Sequence, residues 1–329
     1  MRVTIAGAGM AGLVAAARLR ELGREVRVLE KGTRPGGSML LSSCVVWRHR
    51  DFAEFRRECP GGDERLQRLV WERLDDSLAW LESLGAEPVW RDTENPRTTG
   101  RRYDPRALTR LLARDVELET PLPADAEPPL VLATGGFPAR LARERGLLLR
   151  ANPWSDGAGL AHALARGGRA TAGMDEFYGR VMPAPPARIR ERDFVPLAQL
   201  YGAEARVLDE DGRDITPTAV AWHESDLAQA LPPTAWFVVE RTNDRIEAAR
   251  AAGGTVRERP DGTLAVHVAP AVTHTLGGIR VDDRARVAGA DGLWAAGVDA
   301  GGVALGGYAS GLAQALVLGL AAAESAAAA

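Results

Sequence analysis

The hydrophobic pattern at the start of the chain changes from the period of a strand to that of a helix and back. Residues 2–6 form a short β-branched run, and residues 25–30 alternate polar and apolar side chains. Between them, residues 13–22 carry apolar side chains at helical spacing, and Gly23 marks the end of that helix. The pattern therefore predicts a β-α-β unit of about 30 residues.

The same periodicities predict further elements along the chain. These are helices at 63–84 and 105–116, a buried strand that enters a glycine turn at 130–137, and a turn that leads into a helix at 152–168. Polar residues 91–104 and proline-rich residues 119–129 are predicted to be loops. Residues 311–329 are predicted to form a buried helix with a frayed tail, too weakly apolar to span a bilayer.

A change of composition marks the middle of the chain. Between about 175 and 265, prolines cluster and short strand-like pieces alternate with loops. After about 266 the alternation of strand, glycine turn and helix returns. We therefore expect one α/β domain built from 1–174 and 266–329, with a smaller α+β domain inserted at 175–265.

Composition narrows the range of partners. The chain has 329 residues, of which 46% are hydrophobic and 26% charged, and a formal net charge of −3. This balance is typical of a globular protein and offers no basic surface for nucleic acid or for a membrane. Two cysteines form neither a disulfide framework nor a zinc-binding spacing, and the five histidines are scattered. We expect a cytoplasmic protein without a metal, and we interpret the apolar N-terminus as a strand and helix, not a signal peptide.

Gly7, Gly9 and Gly12 form a GxGxxG pattern directly after the first predicted strand. In this setting the glycines allow a tight turn, a close approach of a pyrophosphate and close packing of helix on strand. The first helical amides, from Met10 and Ala11 onward, face the phosphates. Glu30 follows the second strand, where a carboxylate can bind both hydroxyls of a ribose. The pattern predicts a bound dinucleotide; the alternative is a glycine-rich structural turn.

Distant segments favour a flavin dinucleotide. Glycines and serines follow soon after Glu30, and the late segment GLWAAG leads into the glycine-dense stretch 297–311. A nicotinamide cofactor usually needs one contiguous nucleotide-binding unit, whereas a flavin draws on both ends of the chain. We interpret the glycines of 297–311 as backbone that lies against the flat flavin ring, and we expect the amides that follow Gly311 to face the cofactor.

With these segments the chain resembles the FAD-dependent flavoproteins that include soluble fumarate reductase, the succinate dehydrogenase flavoprotein and the 3-ketosteroid dehydrogenases. The matching segments are IAGAGMAGLVAA, VLEKGTRPGGSMLLSS, LVLATGGF, SDGAGLAHA, VTHTLGGIRVD and GLWAAGVDAGGVALGGYASGLAQALVLG. The resemblance implies a Rossmann-like FAD-binding domain of the glutathione-reductase-like type, with a capping domain that closes over the substrate. It also implies an FAD-dependent oxidoreductase that acts on a CH–CH bond next to a carbonyl, by dehydrogenation or by reduction of an enone or alkene.

The resemblance carries cofactor roles to many positions of this chain. Residues after the second strand would line the pyrophosphate and flavin, the turn at 134–136 would meet the adenosine diphosphate, and residues 156 and 157 would lie near the flavin. Asp299 stands one place later than the family's acidic residue, with Val298 at that position, and would bind the ribityl chain. The candidate cofactor-binding residues are Gly7, Gly9, Met10, Ala11, Gly12, Glu30, Lys31, Gly36, Gly37, Ser38, Ser42, Ser43, Thr134, Gly135, Gly136, Asp156, Gly157, Gly297, Asp299, Ser310, Gly311 and Leu312.

The chain departs from the family pattern at several places. Ser42, Ser43 and Cys44 stand where covalent flavoproteins of this family carry a histidine, so we predict non-covalent FAD. Tyr308 stands where fumarate reductases carry a substrate-binding arginine, and the arginine pattern of the capping domain is broken. The capping domain is also short. The alternatives are therefore a non-catalytic FAD-binding subunit or binding module, or another FAD oxidase or hydroxylase.

Two residues are the catalytic candidates. His274, in THTLGG, is predicted to hydrogen-bond the substrate, against the alternative of a structural histidine. Tyr308 is predicted either to hydrogen-bond a substrate carbonyl or to pack over the glycine-rich stretch. Side chains with weaker claims are Tyr178 and Tyr201, which could reach the cleft or belong to the core, and His223 and Glu224, which we place at a surface helix start. The expected partners are a small carbonyl-bearing substrate and an unknown electron donor or acceptor.

Overall fold

The computed structural model describes residues 2–198, 205–216, 225–240, 242 and 244–329. In chain order the strands are β1 (Arg2–Ala6), β2 (Glu25–Leu29), β3 (Val45–His49), β4 (Pro88–Trp90), β5 (Thr98–Tyr103), β6 (Val116–Glu117), β7 (Leu130–Leu132), β8 (Leu148–Leu149), β9 (Phe177–Pro183), β10 (Arg206–Leu208), β11 (Ala235–Val239), β12 (Val256–Glu258), β13 (Leu264–Thr275) and β14 (Leu293–Ala295). The α-helices are α1 (Met10–Glu21), α2 (Phe52–Glu58), α3 (Glu64–Ser83), α4 (Pro105–Leu112), α5 (Pro138–Arg145), α6 (Ala158–Ala165), α7 (Ser225–Ala230), α8 (Asp244–Ala251) and α9 (Gly311–Ala328).

The chain packs into two compact units. The first contains Met1–Phe137, Asn152–Glu176 and His274–Ala329, and the second contains Pro138–Ala151 and Phe177–Thr273. The composition of the chain predicts that 138–151 belong to the first domain. These residues belong to the second unit because β8 pairs in parallel with β13, at Ala271 and Val272. That the second unit caps a substrate stays a prediction.

A five-stranded parallel sheet forms the centre of the first unit. Its order is β14-β7-β1-β2-β6, and every neighbouring pair is parallel. After β1 the chain adds β2 on one side, and it later adds β7 on the other, so the order reverses at β1. The carboxyl ends of strands at such a reversal form a ligand-binding crevice in α/β proteins. The predicted fold class, a Rossmann-like α/β domain, is confirmed.

Two helices pack closely beside this sheet. Gly319 on α9 leaves no room for a side chain, because a Cβ there would lie 2.8 Å from the carbonyl oxygen of Ala11 on α1. The predicted frayed tail is wrong: α9 continues to Ala328, and Arg24 donates a hydrogen bond to the carbonyl of Ala327. Among the described residues, α9 is also the one helix whose length and composition would allow it to cross a membrane, and 67% of it is buried inside the protein.

A second sheet of the first unit contradicts a sequence prediction. Residues 98–103 were predicted to be a loop, but they form β5, which pairs antiparallel with both β3 and β4. These polar residues still form a strand because its backbone is hydrogen-bonded to a neighbouring strand on each side. Gly100 faces Trp47 so closely that a Cβ would lie 2.3 Å from the carbonyl oxygen of Val46. The sheet fixes β3, which carries Trp47 and His49.

The second unit contains an antiparallel sheet of order β10-β11-β13-β12, with β8 and β9 also paired to β13. The predicted strand pieces within 203–208 and 235–240 form β10 and β11. Buried Val207, Phe237 and Val268 contribute to its core. Three residues considered in the sequence analysis, Tyr201, His223 and Glu224, lie outside the described part of the chain.

Candidate functional site

The three glycines after β1 have different surroundings. Gly7 adopts φ +104°, and a Cβ there would lie 2.1 Å from the carbonyl oxygen of Ala133. A Cβ on Gly12 would lie 1.9 Å from the carbonyl oxygen of Gly7. By contrast, a Cβ on Gly9 would meet no atom within 4 Å. The protein's own packing requires Gly7 and Gly12, whereas Gly9 keeps a space clear of side chains.

The open space lies at the N-terminus of α1. Gly9 is the N-cap residue and offers no side-chain cap, and the first helical hydrogen bond runs from the amide of Leu13 to the carbonyl of Gly9. The amides of Met10, Ala11 and Gly12 precede that bond, as the first amides of every helix do. Together with the helix dipole they form a site that suits an anion.

Glu30 directly follows β2 and is only 5% exposed. Its two carboxylate oxygens accept hydrogen bonds from the amides of Ala8, at 2.8 Å, and Gly32, at 2.7 Å. Each oxygen keeps a second lone pair for another donor. The carboxylate is therefore fixed beside the first glycine turn and suits a pair of ligand hydroxyls.

Lys31 and Asp156 form an ion pair, with Nζ and Oδ2 2.5 Å apart. Because Lys31 follows Glu30, the pair holds Asp156 and the neighbouring Gly157 close to the end of β2. The expected position of Asp156 and Gly157 at the flavin side of the cleft stays a prediction.

Residues 36–38 lie against the first glycine turn. The amide of Gly36 donates to the carbonyl of Ala8 at 2.7 Å, and a Cβ on Gly37 would lie 3.1 Å from the Cα of Gly9. The hydroxyl of Ser38 accepts a hydrogen bond from the amide of Asn152 at 3.0 Å. Sequence reasoning missed the buried Asn152, whose one available signal is its place ahead of a proline and the SDG turn.

The serines and the cysteine that follow are turned toward their own segment. The hydroxyl of Ser42 donates to the carbonyl of Met39 at 2.8 Å and accepts from the amide of Cys44 at 3.0 Å. The carbonyl of the half-exposed Ser43 accepts from Arg102. Burial raises the pKa of the Cys44 thiol to about 12, so this thiol stays protonated and unreactive at neutral pH. Cys44 is fully buried and has a packing role.

Asp299 organises the turn that follows β7. The residue is 1% exposed, and its carboxylate accepts hydrogen bonds from the amide and hydroxyl of Thr134 and from the amide of Gly136. Burial raises the pKa of Asp299 above its usual range. Because the carboxylate is directed to this turn, the expected direct contact of Asp299 with a ribityl chain is corrected to a role in shaping residues 134–136. Gly135, at φ +89°, lies in that turn.

The glycine-rich stretch 297–311 fits tightly against the rest of the first unit. A Cβ on Gly297 would lie 2.9 Å from the Cβ of Ala11, and one on Gly307 would lie 1.5 Å from the carbonyl oxygen of Glu58. The protein's own backbone and side chains therefore account for these two glycines. The interpretation that glycine occurs here only to admit a flat ligand is corrected at these positions.

At the start of α9 one backbone amide is capped by a side chain, and two others have no acceptor within the helix. Ser310 is buried, and its hydroxyl accepts from the amide of Ala313 at 3.2 Å, so it serves as the N-cap. The amides of Gly311 and Leu312 precede the first bonds of the helix, and both residues are partly exposed. The imidazole of His274 lies against this helix start, since a Cβ on Gly311 would be 3.1 Å from its Cε1.

Tyr308 lies two residues before the N-cap of α9 and is partly exposed. Its ring contacts Trp47, with centroids 5.2 Å apart and planes inclined by 58°. The first unit therefore brings Tyr308 and His274 to the same glycine-rich stretch and helix start. Tyr178 belongs to the second unit, where it is buried and its hydroxyl accepts from Nε of Arg180 at 2.5 Å.

Two family models match the chain. A model described as an NAD(P)-binding Rossmann-like domain matches residues 5–43, and one described as an FAD binding domain matches residues 116–312, which is more than half of the chain. The chain belongs to the FAD binding domain family. FAD is therefore its cofactor, and the protein is an FAD-binding oxidoreductase. No curated protein matches the sequence.

Solved structures share the fold. A flavocytochrome c3 fumarate reductase in its open conformation is 20% identical with a TM-score of 0.75, and the match covers 99% of this chain and 78% of the other. The 3-ketosteroid Δ1-dehydrogenase from Sterolibacterium denitrificans is 16% identical, also with a TM-score of 0.75 and 99% of each chain covered. The 3-ketosteroid-Δ4-(5α)-dehydrogenase from Rhodococcus jostii RHA1 is 17% identical with a TM-score of 0.63, covering 99% and 96%.

The first unit offers donors and acceptors that fit FAD. The open N-terminus of α1 suits the pyrophosphate, and the fixed carboxylate of Glu30 suits the adenosine ribose hydroxyls. The amides of Gly311 and Leu312 suit the carbonyl edge of the flavin. The buried hydroxyl of Thr275, beside Gly136, has no hydrogen-bond partner among the described residues and is available to a ligand. Within the same residues no group of three metal-ligating side chains occurs.

Proposed function

We propose that the protein acts on a CH–CH bond next to a carbonyl in a neutral substrate. The observation that carries the proposal is the partly exposed Tyr308 on the glycine-rich stretch, close in sequence to the open amides of α9. In the fumarate reductases that the chain resembles, an arginine at this place grips a substrate carboxylate. A tyrosine hydroxyl can donate a hydrogen bond to a carbonyl but cannot neutralise a carboxylate.

The structural neighbours support this substrate class. The two ketosteroid dehydrogenases are complexes with 1,4-androstadiene-3,17-dione and 4-androstene-3,17-dione, which are neutral, largely apolar ketones. The match to each of these two dehydrogenases covers 99% of this chain. We propose the shared chemical class, a neutral ketone or enone, without choosing among its members.

The chain's own residues orient the substrate. The hydroxyl of Tyr308 donates a hydrogen bond to the substrate carbonyl, which acidifies the neighbouring C–H bond. The imidazole of His274, held at the start of α9, provides a second hydrogen bond. The positive end of α9 stabilises negative charge that develops nearby. Bound FAD supplies the hydride chemistry at its N5 atom.

Reoxidation of the reduced holoprotein tests the proposal. The dithionite-reduced protein is mixed with a panel of cyclic enones and, separately, with fumarate, and the flavin absorbance is followed. We expect enones to reoxidise the flavin and fumarate to leave it reduced. Tyr308→Phe, which removes only the hydroxyl, should slow the enone reaction by about 10²-fold. A preference for fumarate, or full activity of the variant, would contradict the proposal, and an inert flavin would favour a binding module.

We also propose that FAD is bound without a covalent link and that a separate electron donor or acceptor completes the cycle. The support for the first point is the absence of histidine at residues 42–44. Acid precipitation should release yellow colour into the supernatant. Colour that stays with the precipitate would contradict non-covalent binding. A cytoplasmic location remains part of the proposal.

A further inference from the structure

Glu176 is hydrogen-bonded to both of the segments that carry the catalytic candidates. Its backbone carbonyl accepts a hydrogen bond from the amide of Leu276 at 3.0 Å, two residues after His274. Its side-chain carboxylate accepts a hydrogen bond from the amide of Gly306 at 2.7 Å, two residues before Tyr308. One residue of the first unit therefore joins the two segments through two different groups.

Backbone hydrogen bonds fix the segment that follows His274. The amide of Gly277 donates to the carbonyl of Gly173 at 3.0 Å, beside the bond between Leu276 and the carbonyl of Glu176. Since every amino acid has a backbone carbonyl, both bonds persist when the side chain of Glu176 is changed. A change of that side chain therefore acts on the glycine-rich stretch.

The first half of the glycine-rich stretch is held by the segment 61–67. The side chain of the fully buried Gln67 donates a hydrogen bond to the carbonyl of Val303 at 2.8 Å. The amide of Gly61 donates to the carbonyl of Leu305 at 3.1 Å. These bonds fix the backbone of the stretch as far as Leu305.

Gly306 is the next residue, and its backbone has unusual freedom. It adopts φ +76°, in the left-handed region that favours glycine, and glycine has a wider range of backbone conformations than any other residue. A rotation at this residue would displace the residues after it, including Tyr308. The carboxylate of Glu176 opposes such a rotation because it fixes the direction of the Gly306 amide. A hydrogen bond to a charged acceptor is also stronger than one between neutral groups.

We propose that Glu176 is a positioning residue for Tyr308. Its carboxylate holds the amide of Gly306 and thereby fixes the position of the tyrosine hydroxyl relative to His274. Glu176 acts through the glycine-rich stretch and contributes no group to the substrate. The inference rests on the proposed function for its catalytic consequence, but the link between Glu176 and Gly306 can be tested separately.

Hydrogen–deuterium exchange of the FAD-bound protein tests this link. Glu176→Ala removes the acceptor of the Gly306 amide, whereas Glu176→Gln keeps one acceptor oxygen on a side chain of the same length. We expect Glu176→Ala to accelerate exchange in peptides that contain Gly306 by about tenfold, because one hydrogen bond to a charged group is lost. Glu176→Gln should stay within about threefold of wild type.

Two controls separate this local effect from a general loss of stability. Peptides within 275–278 should exchange at the wild-type rate in both variants, because their bonds to the backbone remain. Asp291→Ala removes an exposed carboxylate elsewhere in the first unit. It should leave exchange in the peptides that contain Gly306 unchanged.

Turnover of the enone found in the reoxidation test supplies the second measurement. Glu176→Ala should lower kcat by about tenfold with little change in KM, since a displaced hydroxyl affects the transition state more than binding. Glu176→Gln should restore most of kcat. The double variant of Glu176→Ala and Tyr308→Phe should be no slower than Tyr308→Phe alone, because both substitutions remove the same contribution.

Three results would overturn the positioning role of Glu176. They are unchanged exchange at Gly306 in Glu176→Ala, equal acceleration in Glu176→Gln, and additive losses of kcat in the double variant. Faster exchange at Gly306 in Glu176→Ala, combined with a Tyr308→Phe variant of full activity, would uphold the positioning role and reject the proposed function.

Discussion

At the residue scale, two buried ionisable side chains shape the site. Burial raises the pKa of Asp299 and lowers that of His49, so each favours its neutral form more than it would in water. The carboxylate of Asp299 is nevertheless directed at the backbone of residues 134–136, and its role is to hold that turn in place. The ring of His49 instead contacts the rings of Trp47 and Phe55.

Two substitutions of Asp299 distinguish the stability that its hydrogen bonds contribute from the stability that its side-chain volume contributes. Asp299→Ala should lower the free energy of unfolding by about 3 kcal/mol, because the amides of Thr134 and Gly136 lose their acceptor in a buried place. Asp299→Asn keeps one acceptor oxygen and should lose about 1 kcal/mol. Urea unfolding of both variants measures the difference. Equal losses would mean that the hydrogen bonds do not stabilise the turn.

The lowered pKa of His49 predicts how stability depends on pH. Below about 6.5, the ordinary value for histidine, the unfolded chain takes up a proton that the folded protein resists. The free energy of unfolding should therefore fall as the pH drops from 7 to 5.5. His49→Gln should show a weaker pH dependence in this interval. His162, whose pKa burial also lowers, adds to the fall in both proteins.

The sequence predicted residues whose role follows from a local pattern. Gly7, Gly9, Gly12 and Glu30 belong to one β-α-β unit, so their arrangement could be derived from spacing. Asn152 and the true orientation of Asp299 could not, since each depends on a partner more than 100 positions away, Ser38 and Thr134 respectively. Local patterns carry no information about such pairs.

At the element scale, the N-terminus of α1 shows that neighbouring glycines can have separate purposes. Gly12 packs against the carbonyl of Gly7, whereas Gly9 faces open space. A single fingerprint therefore contains two positions that the fold needs, Gly7 and Gly12, and one, Gly9, whose side of the turn is open.

Two alanine substitutions distinguish these purposes. Gly9→Ala should leave thermal stability without FAD within about 1 kcal/mol of wild type, since only an N-cap preference changes. It should weaken FAD binding at least tenfold, because the methyl group enters the space of the pyrophosphate. Gly12→Ala should destabilise the protein by about 3 kcal/mol through overpacking. A Gly9→Ala protein that binds FAD normally would show that this space is not the pyrophosphate site.

Elements with a strong amphipathic period were predicted well. Helix α3 covers Glu64–Ser83, within the predicted range 63–84, and Asp63 is its N-cap. By contrast, β5 was missed because its polar residues lack alternation, and its conformation comes from pairing with β3 and β4. Pairing between strands distant in sequence overrides local preference.

At the scale of the whole molecule, FAD should contribute to stability. Free FAD at 100 times its dissociation constant adds about 2.7 kcal/mol, which raises Tm by about 4 °C for a chain of 329 residues. Flavin mononucleotide, which lacks the adenosine that Glu30 would bind, should raise Tm less. Differential scanning calorimetry compares the two ligands. Equal shifts would mean that Glu30 and α1 do not hold the adenosine half.

The division into two units could be predicted from the sequence only where it follows from a local pattern. The composition shift near 175 identified an inserted region, yet it could not assign 138–151, whose membership depends on the pairing of β8 with β13. The chain thus leaves the first unit twice before β14 completes the parallel sheet.

This order has a consequence for biosynthesis. In the folded sheet β7 lies between β1 and β14, so until the ribosome has made residues 293–295 one edge of β7 lacks its native partner. An unpaired edge of three buried apolar residues invites pairing with another nascent chain. We therefore expect the stages of translation before residue 295 to expose this edge to aggregation, and a chaperone that shields the edge would act then.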